Sequence, residues 1–139
     1  MKDLLRQLIQ ARSTLETGEL AAARVLADYF ERHGVACRTD TWDGQRANVI
    51  ARVPSACRRS SLLFVCHLDV VGPGEDPWTY PAFEGREIDG RIYGRGAVDM
   101  KGGTAAVAAA ICEVVQSGVE LAGDIVFAAT AGEETDSAG

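Results

Sequence analysis

The sequence predicts an α/β domain: a mixed, largely parallel sheet flanked by helices. Three observations carry this. Leu4, Leu5, Leu8 and Ile9, and then Leu20, Ala23, Val25, Leu26, Ala27 and Phe30, recur at helical spacing. Short apolar runs at residues 35–42, 47–53, 62–66 and 124–131 have the length and composition of strands. Residues 104–116 (TAAVAAAICEVVQ) form an almost wholly apolar helix, which is expected to be buried.

Taken in order, residues 3–12 predict a short amphipathic helix, and residues 13–18 break it. Thr17 or Gly18 is the expected N-cap of a second helix at 19–33, with Glu19 placing negative charge in its first turn. Gly34 closes that helix, and His33 at its polar end reads as a surface cap rather than a ligand. Strands 35–42 and 47–53 are joined through Asp43-Gly44, a turn signal. Residues 54–60 form a polar loop. The unbroken run 62–66 (LLFVC) is expected to be a strand covered on both faces. Pro73, Pro77 and Pro81 make 72–83 a long loop, and Asp89-Gly90 centres a hairpin over 87–93. No linker or internal repeat divides residues 1–139, which form one unit.

Composition narrows the function. An apolar fraction of 47% with 24% charged residues suits a globular protein able to bury a core. The formal charge of -6 disfavours nucleic acid or an anionic membrane as partner. No run approaches the roughly 18 apolar residues of a membrane span, and the N-terminus lacks a secretion pattern, so the cytoplasm is the expected location. Cys37, Cys57, Cys66 and Cys112 lack paired spacing and are expected as free thiols.

The chemistry gathers where the predicted strands end. His67 and Asp69 stand one residue apart after LLFVC, so imidazole and carboxylate can address one point. A carboxylate beside a ligating histidine fixes its tautomer, although the same pair can simply solvate a strand end. Asp99 lies in a glycine-rich segment (GRGAVDMKGG) just before the apolar helix. One carboxylate there can serve two metal ions. A phosphate-binding loop is the competing reading, but Lys101 precedes Gly102 and Asp99 would repel phosphate. Glu133-Glu134 follows DIVFAATAG, and adjacent carboxylates at a strand end repel unless cations intervene. One can ligate metal while its neighbour accepts a proton from water. A solvated acidic pair is the alternative.

Together, His67-x-Asp69, Asp99 and Glu133-Glu134, with LLFVCHLDVV, DPWTYPAFEG and DGRIYGRGAVDMKGG, resemble the M20 metallopeptidases, the group that includes acetylornithine deacetylase, succinyl-diaminopimelate desuccinylase and aminoacylase. The resemblance implies a zinc-exopeptidase-like catalytic domain with two divalent metal ions, zinc foremost, with Co2+ or Mn2+ also compatible with the donors. By position, His67 would bind one metal, Asp99 would bridge, and Glu134 would bind the second. Glu133 would be the general base, and Asp69 would serve catalysis by orienting His67. The family also implies a cis peptide bond between Asp99 and Met100. The implied activity is hydrolysis of an amide or peptide bond, in a small peptide or N-acyl amino acid, by a metal-bridging water. A homodimer is implied for the full-length enzyme.

Residues 1–139 match the N-terminal portion of such a catalytic domain. The family's later acidic ligand, distal histidine and lid or dimerisation domain have no counterpart here. Weak zinc binding without turnover is therefore the expectation for this chain alone. The alternative is a truncated, non-catalytic homologue acting as a binding module.

Overall fold

The computed structural model describes residues 1–57 and 59–139. Within the expected loop 54–60, position 58 lies outside the described residues. Helices α1 (Lys2–Gln10), α2 (Leu20–Arg32) and α3 (Lys101–Ser117) alternate with strands β1 (Cys37–Trp42), β2 (Arg46–Val53), β3 (Leu62–His67), β4 (Arg86–Ile88), β5 (Arg91–Tyr93) and β6 (Ile125–Thr130). Four strands form one sheet in the order β1-β2-β6-β3, and β4 and β5 form a separate hairpin.

The sheet is mixed, but its largely parallel character is corrected. β1–β2 and β2–β6 are antiparallel, and only β3–β6 is parallel. The cause is local. Asp43-Gly44 turns the chain back on itself, with both residues at positive φ (51° and 81°), so β1 and β2 pair as a hairpin. Only the β3-to-β6 connection carries a long helix, and a parallel crossover needs one.

The helices flank the sheet as expected, all on one face of it. Val49 pairs with Ala129, Ala51 with Phe127, Phe64 with Phe127 and Cys66 with Ala129. These cross-strand partners join Leu8, Leu26, Phe30 and Ile111 from the helices in one core. The rings of Phe30 and Phe127 meet edge to face, with centroids 5.2 Å apart. Burying one such ring contributes about 1.5–3 kcal/mol.

Strand β3 is not covered on both faces. It is an edge strand with Leu63 and Val65 56% and 62% exposed. Nor is α3 wholly buried: Thr104, Ala105, Ala108 and Ile111 face the core, while Ala106 and Ala110 are exposed. An apolar run of residues reads the same whether one or both faces are packed, because burial is set by what lies alongside.

The second helix starts differently from expectation. Its N-cap is Glu19, whose buried side chain turns inward to Arg46, while Thr17 Oγ1 bonds back to the Arg12 carbonyl. His33 sits at the helix end as expected, its Nδ1 2.7 Å from the Tyr29 carbonyl oxygen. All four cysteines are free.

Candidate metal centre

Two adjacent strands deliver the site. β3 and β6 are parallel neighbours, and His67 is paired with Thr130 at their shared C-terminal end. Chain leaving these ends carries Asp69 and Glu133-Glu134, as expected of the carboxyl edge of parallel strands. The glycine-rich segment brings Asp99 to the same place immediately before α3. The peptide bond from Asp99 to Met100 is cis, as the resemblance implies.

One ligand atom each from His67, Asp99 and Glu134 can be chosen so that all lie within 4.8 Å of one another. His67 Nε2 is 3.2 Å from Asp99 Oδ1 and 3.8 Å from Glu133 Oε2. All five residues singled out in the sequence thus converge. Their exposures differ in a way that suits division of labour. His67 and Asp69 are buried and held, whereas the side chains of Asp99 and Glu133 are 78% and 62% exposed and face solvent. An imidazole nitrogen with carboxylate oxygens is a donor set for a borderline-hard divalent cation, so these residues fit a metal ion.

Asp69 contacts both His67 and the turn that carries Glu133 and Glu134. The His67 Nδ1 lies 3.0 Å from the Asp69 backbone oxygen and 3.5 Å from its carboxylate. The two carboxylate oxygens accept the backbone amides of Glu133 and Glu134, at 3.1 and 2.8 Å. Burial opposes ionisation of Asp69, yet His67 and these two amides outweigh it and hold its pKa below the usual carboxylate value. In return the Asp69 carboxylate, against burial and with help from Asp99, raises the His67 pKa to about 9.

Several supporting residues escaped the sequence reading. Asn48 Oδ1 accepts the Ala131 amide at 2.9 Å. Arg46 bonds to the buried Glu19 at 2.8 Å and to Asp136 at 3.2 Å, tying the Glu133-Glu134 turn to β2. Lys101 is 1% exposed. Burial drives its pKa down to about 8, while Asp69 and Glu19 pull it upward. A lone lysine opening an otherwise apolar helix was a usable signal, whereas Arg46 and Asn48 acquire meaning only through strand pairing.

A model of peptidase family M20/M25/M40 matches residues 63–139. The chain belongs to this family. Among its curated relatives, a probable succinyl-diaminopimelate desuccinylase of Staphylococcus epidermidis is 36% identical over 122 residues, covering 87% of this chain and 30% of the relative. A succinyl-diaminopimelate desuccinylase of Gluconacetobacter diazotrophicus is 47% identical over 73 residues, covering 52% of this chain and 19% of the relative. Among solved structures, human carnosine dipeptidase 1 superposes with a TM-score of 0.78 at 25% identity, over 98% of this chain and 32% of its own. An M20 metallo-carboxypeptidase from Sulfolobus solfataricus gives 0.78 at 26%, over 94% and 30%. This M20 chain therefore spans about a third of the length of these relatives, or less. Among the described residues, no helix is long and apolar enough to cross a membrane.

Proposed function

We propose that this M20 chain is the N-terminal portion of a metallohydrolase catalytic domain that cleaves an amide or peptide bond. The substrate class is a small peptide or N-acyl amino acid. The convergence of His67, Asp99 and Glu134 carries this reading, with Glu133 beside them. It is supported by family membership and by the desuccinylase and peptidase relatives.

In this reading His67, Asp99 and Glu134 would hold divalent metal, zinc foremost, with Asp99 the residue that would serve two ions. Bound metal would supply Lewis acidity to the scissile carbonyl and acidify water. The protein's part is proton handling and alignment. Glu133 projects an exposed carboxylate toward His67 Nε2, where it can take a proton from attacking water and return it to the leaving amine. Asp69 keeps the His67 ring oriented and the backbone under Glu133 and Glu134 in place. Zinc titration of the chain and of its Glu134→Gln variant tests the reading. Uptake lost on substitution supports it, and absence of uptake by the parent chain would leave the binding-module alternative.

A further inference from the structure

We infer that Ser13 and Lys101 form a buried clamp whose task is to position Asp69, and through it the metal-binding and proton-transferring carboxylates. Ser13 brackets Asp69 along the chain. Its Oγ donates to the Leu68 carbonyl at 2.6 Å, and its own carbonyl accepts the Val70 amide at 2.9 Å. The residues on both sides of Asp69 are therefore fixed by one side chain and one backbone group of the α1–α2 connection.

Lys101 holds Ser13 in turn. Its Nζ donates to Ser13 Oγ at 2.5 Å and to the Leu8 carbonyl at 2.9 Å. The serine hydroxyl thus donates once and accepts once. Both side chains are out of solvent. Burying an ammonium is costly unless it is well bonded, and an apolar side chain of similar length would fill the same space without that cost. One hydrogen bond of Lys101 goes instead to Ser13, which sets the Asp69 segment, and the other ties the ammonium to the Leu8 carbonyl of α1.

Gly96 makes the arrangement possible. A side chain at this position would come within 2.6 Å of Val70 and 3.1 Å of the Lys101 stem, and its φ of +80° favours glycine. The Asp99-bearing segment, the Lys101 stem and the Asp69-bearing segment are consequently stacked in contact. Because Lys101 follows Asp99 by two residues, one side chain couples two of the strand-end segments that make the site.

This inference rests on the proposed function for its metal consequence, but not for its structural one. The test measures amide hydrogen exchange by NMR, together with zinc titration, for the chain and its Ser13→Ala and Lys101→Met variants. The expected result is a roughly tenfold loss of protection at the Glu133 and Glu134 amides, with Phe127 and Ala129 in β6 unchanged. Zinc affinity should fall by roughly tenfold or more, as for other groups that orient metal ligands. Equal loss of protection at all four amides, failure of both variants to fold, or no loss at Glu133 and Glu134 would overturn the clamp. A parent chain without zinc affinity would count against the hydrolase reading, while the exchange data would still decide the clamp.

Discussion

Asp69 accepts the backbone amide of Glu134 at 2.8 Å, so the side chain after β3 sets the conformation of the turn after β6. With its other oxygen on the Glu133 amide, the carboxylate fastens the two carboxylate-bearing residues by their main chain, not their side chains. Their acidic side chains take no part in this fastening. A carboxylate suits this task because it has acceptors only, and both oxygens face donors.

Replacing Asp69 with Asn puts an N–H donor where one acceptor is needed. Asp69→Asn should cost about 1–3 kcal/mol of stability through the unmet amide. It should also weaken metal binding about 10- to 100-fold by releasing His67 and the turn. Urea unfolding and zinc titration check the two effects separately.

Glu133 and Glu134 should separate functionally despite being adjacent. Glu134→Gln should lose metal, because its oxygen belongs to the convergent group. Glu133→Gln should retain metal. In an active enzyme carrying this segment, Glu133→Gln should lower kcat by about 100- to 10,000-fold, the usual worth of a general base. Metal analysis beside turnover measurements decides it, and identical behaviour of the two variants would contradict the assignment.

Arg46 should matter to folding through Glu19. The Glu19 side chain is 2% exposed and bonds to Arg46 Nε at 2.8 Å. Arg46→Met leaves that carboxylate buried without its partner, a change that costs about 3–5 kcal/mol. Adding Glu19→Leu should restore much of the loss, since removing both charges avoids stranding one. A double-mutant cycle by denaturant unfolding reads the coupling.

The thiols should react in order of exposure. Cys57 is exposed, Cys37 is half-buried, and Cys66 and Cys112 are buried. A disulfide reagent at pH 8 should modify Cys57 rapidly, Cys37 slowly, and the other two only on unfolding. Burial also pushes the Cys112 thiol up to about 11. The unfolded thiol ionises near pH 8.5, well below the folded one. The contribution of Cys112 to stability is therefore complete below that pH and lost as pH rises toward 11. Unfolding midpoints measured across this range should decline, and a Cys112→Ala variant should show a shallower decline.

The helices and the site residues were legible in the sequence because their signals are local. Helical periodicity at Leu4, Leu8 and Leu26 needs only near neighbours along the chain, and the three helices lie within a few residues of where it places them. His67, Asp69, Asp99, Glu133 and Glu134 announced themselves as polar groups at the ends of apolar runs. His67, Asp69, Glu133 and Glu134 meet once β3 and β6 pair in parallel, and the glycine-rich segment before α3 adds Asp99.

Tertiary structure alone decided the rest. The antiparallel pairing of β2 with β6 joins strands more than 70 residues apart, and strand residues carry no local mark of partner or direction. Exposure of Leu63 and Val65 follows from the edge position of β3, which a continuous apolar run does not reveal. The inward turn of Glu19, the bond from the Ala131 amide to Asn48 and the clamp of Ser13 and Lys101 around Asp69 share one physical basis. Each is a hydrogen bond between groups distant in sequence, and its donor and acceptor acquire meaning only when folding brings them within about 3 Å.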